Sequence, residues 1–230
     1  MCTSIVSNRG KTIVWFNLDI IGMEYKVVPE SDKVTINVYD STEGCWMPLF
    51  GANSKGDFVA MPTCWPYDNR SDPAGGDEKN IILLNIDLLL GKKSYAETRE
   101  TAENVRICSV PGLTFQSQLS DANGNVLQIV PGQGVQYFEK PDYAIMTNFS
   151  PYKGNSAEHP LMGWDRYLTA KEFFETHEGN VTVDDMFSLL RMTAQEVCPT
   201  VVSMVFDAEA KTVYWCENRQ WDKIQCRVIG

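Results

Sequence analysis

The chain has 230 residues, of which 43% are hydrophobic and 22% charged, and it carries a formal charge of -10 at pH 7. This length and composition suit one globular domain over residues 1–230 with a substantial core. The acidic balance speaks against nucleic acid, whose phosphates need Lys and Arg, and no apolar run approaches the roughly 20 residues of a membrane span.

In chain order, Thr3–Ser7 and Thr12–Asn17 are rich in β-branched residues and flank a turn sequence, Asn8-Arg9-Gly10-Lys11. Phe58–Met61 reads as a further strand. The stretch Pro66–Asn80, with two prolines, paired glycines and no aliphatic residue, reads as a mobile surface loop. Asn80 caps an apolar helical run through Leu90, with Gly91 as its stop. Ser94 and Glu97 form a capping-box pattern ahead of Tyr95–Val105. Leu113–Leu119, Val126–Val130 and Tyr143–Thr147 read as strands, and Gly132-Gln133-Gly134 as a turn. Thr169 and Glu172 repeat the capping-box pattern ahead of Lys171–Thr176, and Asp184–Val197 is an amphipathic helix candidate. Val201–Phe206 and Thr212–Cys216 form a closing hairpin. Strands, then helices, then strands again indicate an α+β fold with antiparallel sheets covered by helices.

Chemistry concentrates at Cys2. Removal of Met1, expected before so small a residue, leaves a thiol and a free α-amine on one Cα, a nucleophile with its own base. Their reference ionisation constants, about 8.5 and about 8, both suit proton exchange near neutrality. The bland alternative is a cysteine placed second by accident. A two- or four-residue loop centred between Arg9 and Gly10 pairs residues whose numbers sum to 19. Cys2 then faces Asn17, and Asp19 lies diagonally beside Cys2, within reach of its amine. An Asp19 that merely ends a strand is the alternative.

The start CTSIV, with NLD fifteen residues on, resembles the N-terminal-nucleophile hydrolases of the choloylglycine hydrolase group. That group includes bile salt hydrolases, penicillin V acylases and acid ceramidase-like amidases. The likeness continues in order through Asn53–Gly56 with Phe58–Ala60, Leu88–Gly91 with Ser94–Ile107, Gln116–Gly124, Met146–Pro151, Gly163–Arg166 and Val202–Cys216. The resemblance implies a four-layer αββα sandwich with two antiparallel sheets. It implies Cys2 as nucleophile and acid/base, Asp19 holding the amine, and Asn148 and the Thr63 backbone N–H as oxyanion donors. Arg166 would close the site electrostatically. Taken alone, Asn148 before Ser150-Pro151 reads as a turn residue and Arg166 as a surface ion pair. The implied activity is hydrolysis of a linear, non-peptide amide of a small N-acyl substrate, with no cofactor and no metal. Tetramers are common among relatives, so the resemblance allows a homo-oligomer, tetramer or dimer, while the sequence itself does not set the oligomeric state. A ligand-binding homologue without turnover and an acyltransferase remain the alternatives.

The group usually carries arginine where this chain has Phe16, which removes a fixed positive charge beside the site. Thr63 replaces a common asparagine but keeps its N–H. Phe16, Trp65 and Tyr67, with Trp46 and Phe50, belong to segments the group uses for its substrate pocket, with ordinary core packing as the alternative. A cysteine–histidine pair through His159 or His177 has nothing to place it. The N-terminus lacks the basic segment followed by a long apolar run that a secretory signal needs, so the seven cysteines are expected to be reduced thiols in a cytoplasm. A Cys198 bridge to Cys216 or Cys226 is disfavoured on the same ground.

Overall fold

The computed structural model describes residues 1–152 and 161–230. The first half contributes β1 Cys2–Ser7, β2 Ile13–Asp19, β3 Tyr25–Pro29, β4 Lys33–Asp40, β5 Cys45–Asn53, β6 Phe58–Ala60, β7 Glu78–Asn80, α1 Ile81–Leu89 and α2 Tyr95–Asn104. The second contributes β8 Arg106–Cys108, β9 Ser117–Ser120, β10 Val126–Val130, β11 Gly134–Phe138, β12 Tyr143–Met146, α3 Trp164–Thr176, α4 Val183–Met192, β13 Thr200–Asp207, β14 Thr212–Glu217 and β15 Gln225–Val228.

Two antiparallel sheets stand face to face. One runs β12-β1-β2-β13-β14-β15 and the other β11-β10-β9-β6-β5-β4-β3. The period of two in a strand divides β1 and β2 between two cores. Val6, Val14, Phe16 and Leu18 turn inward to the opposing sheet, whereas Ile5, Ile13 and Trp15 turn outward to α3 and α4. Phe16 stacks on Phe50 with ring centroids 4.9 Å apart, and Phe58 on Phe206 at 6.3 Å, so aromatic pairs bridge the sheets. Each buried ring contributes about 1.5–3 kcal/mol by leaving water. With α1 packed on β5 and β6 and with α3 and α4 on the other sheet, the layers are the expected αββα.

The helix starts show where local signals hold and where they fail. Asn80 Oδ1 accepts from the Ile82 N–H at 2.8 Å, and Ser94 and Glu97 form a complete capping box. The pattern at Thr169 is not a cap. α3 already begins at Trp164, and the Thr169 hydroxyl donates back to the Asp165 carbonyl inside the helix at 3.0 Å. Its buried face, Arg166, Ala170 and Phe174, recurs every fourth residue. α4 is capped by Thr182 with Asp185 and ends at Met192, short of Val197.

The strand pairs β3, β4 and β5 were not expected. Pro48 lies inside β5 opposite Asn37, where the register shifts, and such a proline disguises a strand. Gly134 begins β11 rather than ending a turn. The Pro66–Asn80 stretch is anchored. Asp68 and Ser71 are buried, the Ser71 hydroxyl donates to the Asp68 carbonyl at 2.7 Å, and β7 pairs in parallel with β8. Among the described residues no helix is long and apolar enough to cross a membrane.

Candidate active site

The first hairpin sets the site, and its register differs by one from the expectation. Ser7 pairs with Ile13, Thr3 with Asn17 and Cys2 with Leu18, so paired numbers sum to 20. The loop therefore holds five residues, Asn8–Thr12. The Thr12 hydroxyl donates to Asn8 Oδ1 at 2.8 Å, and the Asn8 amide donates to Gly124 and Pro141 carbonyls, which removes Thr12 from the strand. Gly10 sits at the loop centre with φ +85°. A one-residue slip exchanges the faces of a strand relative to its partner. Asp19 consequently does not share the inward face of Cys2. It lies opposite residue 1, with its N–H donating to the Met1 carbonyl at 2.8 Å.

The result is a site that straddles the end of one sheet. The Cys2 side chain belongs to the core between the sheets and is buried. Asp19 and Thr3 occupy the opposite face, where Arg166 reaches down from α3. Arg166 Nη1 donates to the Cys2 carbonyl at 2.5 Å and to Thr3 Oγ1 at 2.7 Å, and it lies 3.5 Å from Asp19 Oδ2. Arg166 Nη2 donates to Asn148 Oδ1 at 2.7 Å.

Asn148 follows β12 and is fully buried. Its Oδ1 also accepts from the Cys2 backbone N–H at 2.9 Å. Its Nδ2 donates to the Thr63 carbonyl at 2.7 Å and to Thr63 Oγ1 at 3.0 Å. With two donors on one side and a carbonyl on the other, the orientation of the amide is fixed by its neighbours. Thr63 is held in turn by the flanking bonds of its bridge to Phe115: Cys64 N–H to Thr114 and Gln116 N–H to Pro62. The Trp65 N–H donates to the Asn148 carbonyl at 2.7 Å. Five sequence-predicted residues, Cys2, Asp19, Thr63, Asn148 and Arg166, thus converge through direct contacts. Neither Asn148 nor Arg166 has the turn or surface role that each suggests when read alone.

Electrostatics follow from burial. With Met1 attached, desolvation pushes the Cys2 thiol up to about 11, against the pull of the N-terminal charge. Burial likewise raises the Asp19 carboxyl to about 7, although the Thr200 hydroxyl, Arg166 and the N-terminal charge all favour its ionised form. Thr200 donates to Asp19 Oδ1 at 2.6 Å, while Oδ2 is buried with no hydrogen-bond partner among the described residues. The Met1 ammonium donates to the Asp19 carbonyl at 2.5 Å and approaches Cys198 Sγ at 3.7 Å.

Thr3, Thr200 and Cys198 were missed in the sequence. A hydroxyl inside a strand carries no signal of its partner, and only the register of β2 against β13 brings Thr200 opposite Asp19. The pocket aromatics do not form one cluster. Phe16 is fully buried against Phe50, Trp46 packs on Tyr39 and Lys26, Trp65 is 39% exposed, and the Tyr67 hydroxyl donates to Asp72. His177 ends α3, stacked on Phe173, and His159 lies outside the described residues.

No protein-family model and no curated protein matches this sequence. Solved structures do match. A cysteine-to-alanine variant of the conjugated bile acid hydrolase from Clostridium perfringens aligns with TM-score 0.69 at 13% identity, covering 99% of this chain and 92% of that one. Penicillin V acylase from Agrobacterium tumefaciens aligns with TM-score 0.62 at 14% identity, over 94% and 83% of the two chains. The Caenorhabditis elegans ortholog of N-acylethanolamine-hydrolyzing acid amidase aligns with TM-score 0.63 at 15% identity, over the whole of both. At these identities the likeness concerns architecture, and the chain has the fold of these amide-cleaving enzymes.

Proposed function

We propose that the chain is an N-terminal-cysteine amidase that hydrolyses the linear, non-peptide amide bond of a small N-acyl substrate through an S-acyl enzyme. The observation that carries this reading is the position of the Cys2 nitrogen. It lies 2.9 Å from Asn148 Oδ1, at the junction of the Asn148, Arg166 and Asp19 contacts. Loss of Met1 turns that nitrogen into an amine already seated among acceptors. Asp19 Oδ2, which has no hydrogen-bond partner among the described residues and lies 3.5 Å from Arg166, would be the further acceptor for it.

With Met1 attached, burial pushes the Cys2 thiol up to about 11, and the same burial disfavours a standing thiolate once Met1 is lost. The thiol proton passes to the α-amine as sulfur attacks the amide carbon. The oxyanion that forms takes hydrogen bonds from Asn148 Nδ2 and the Thr63 N–H. To do so it displaces the Thr63 hydroxyl from Nδ2, and that hydroxyl then rotates to donate. A preorganised donor of this kind is worth about 3–4 kcal/mol of barrier. Collapse breaks the C–N bond while the ammonium returns its proton to the leaving amine. Water, deprotonated by the same amine, attacks the thioester, releasing the acid and restoring the thiol. Phe16, stacked on Phe50 beside Cys2 in the inter-sheet core, supplies no charge and favours an apolar, uncharged acyl group.

The test is intact mass after mixing with a chromogenic N-acyl amide. An acyl adduct on the processed chain, absent from Cys2→Ala, supports the enzyme. A processed chain that binds the amide and never gains mass establishes the ligand-binding alternative. Product analysis with a competing amine separates hydrolysis from acyl transfer.

A further inference from the structure

The first residues of β13 break the regular pairing of that strand with β2. From Asp207–Ile13 to Val202–Leu18 the pairs follow without a gap, and one more step would set Val201 opposite Asp19. The register shifts instead, Thr200 takes that place, and Val201 packs against the inter-sheet core. A shift of this kind re-aims a side chain. Its effect here is to set a hydroxyl, rather than an aliphatic group, against a buried carboxylate.

The hydroxyl is oriented by its neighbours. Thr200 is buried, and its Oγ1 accepts from the Gln195 N–H at 2.8 Å, so its own proton is left for Asp19 Oδ1 at 2.6 Å. The Thr200 N–H donates to the Gln195 carbonyl at 3.1 Å, and the Ile20 N–H to the Pro199 carbonyl at 3.3 Å, which ties the 195–200 segment to the end of β2. Among the described residues no other hydrogen bond reaches the carboxylate; Oδ2 lies 3.5 Å from Arg166 Nη1. The charges around Asp19 come from two elements: Arg166 and Asp165 on α3, and the N-terminal charge beside the Cys2 thiol on β1. The segment before β13 brings Cys198 near the N-terminal nitrogen, and its Glu196 is turned to Arg219.

We propose that Thr200 is a positioning residue of the amidase reaction: its hydroxyl holds one oxygen of Asp19 and so keeps the other turned to the α-amine. The inference rests on the proposed function and adds to it a group that acts only through Asp19. A neutral donor favours the ionised carboxyl, against the desolvation that opposes it. With valine in its place the shape of the side chain remains, the buried oxygen loses its donor, and the carboxyl takes up a proton at higher pH. A protonated Asp19 no longer draws the ammonium that carries the proton between sulfur and leaving nitrogen.

The test compares Thr200→Val, which removes the hydroxyl, with Thr200→Ser, which keeps it. Single-turnover acylation by a chromogenic N-acyl amide is followed by intact mass across pH, and the Asp19 titration by its carboxyl carbon shift in NMR on the same chains. Thr200→Val is expected to acylate at least about tenfold more slowly near neutral pH, with the acid limb of its profile and the Asp19 midpoint both raised by about one pH unit or more. Thr200→Ser is expected to restore most of the rate and both midpoints. Where Thr200→Val does not fold, Thr200→Ala is read in its place. Equal rates and profiles in the parent and the folded variant, an Asp19 midpoint that does not move, or a loss that serine does not restore overturns the proposal and leaves the amidase reading standing. A parent chain that forms no adduct overturns the amidase reading and this proposal with it, so the parent tells the two failures apart.

Discussion

Asp19→Asn should change how stability depends on pH, by an amount the structure sets. With Met1 attached, burial raises the Asp19 carboxyl from 3.8 to about 7, so both chains compared here retain Met1. In the unfolded chain it releases its proton near 3.9, while in the folded chain it keeps it until about three pH units higher. Between those values the folded state binds a proton that the unfolded state has lost. Raising pH therefore costs the folded state stability. The contribution is fully present below pH 4 and lost as pH rises through about 7, up to a ceiling of about 4 kcal/mol at ~1.4 kcal/mol per pH unit. Asparagine does not titrate and carries none of this slope. Urea unfolding of both chains between about pH 4 and pH 8 isolates the difference, since every other group cancels to first order. Relative to Asp19→Asn, the parent chain should lose about 2–4 kcal/mol across that window. Parallel curves would show that Arg166 and the N-terminal charge hold Asp19 ionised throughout, and the burial argument would fail.

Other substitutions probe the remaining contacts. A chain in which Met1 is forced to remain, by a bulky residue ahead of Cys2, should show no acyl adduct by intact mass, as should Cys2→Ala; labelling of either would remove the α-amine from the mechanism. Asn148→Ala should lower the single-turnover acylation rate by about a hundred- to a thousandfold. It should also cost roughly 1–3 kcal/mol for each buried donor it strands, Arg166 Nη2 and the Cys2 N–H, read by chemical unfolding. Phe16→Arg should not restore a family-like site. It places a guanidinium at a fully buried position against Phe50, and a loss of several kcal/mol in unfolding free energy is expected. A stable Phe16→Arg chain would mean that the ring faces an open pocket rather than the inter-sheet core.

The sequence carried the site further than it carried the sheets. Val126–Val130, the caps at Asn80 and Ser94, and the closing hairpin were legible because each announces itself within a few residues. β5 was not, because Pro48 and the register shift beside it break the local alternation, whereas β4 carries a regular alternation, Val34, Ile36 and Val38, that the sequence reading passed over. The hairpin register shows the same limit more sharply. Asn8-Arg9-Gly10-Lys11 reads as a tight turn, and nothing local reveals that Thr12 also leaves the strand to bond Asn8. That single extra residue moves Asp19 to the helix-facing side, away from the sulfur. The proposed pairing of Asp19 with the amine does not depend on that face. The amine lies in the plane of the sheet, so it is reachable from either face, and only the thiol needs the inward one. A catalytic amine at a strand's first residue thus tolerates a partner on the opposite face, which a side-chain base would not. It also explains why Arg166 can hold Asn148, Thr3 and the Cys2 carbonyl from the helix layer while the Cys2 side chain lies on the other face of the sheet.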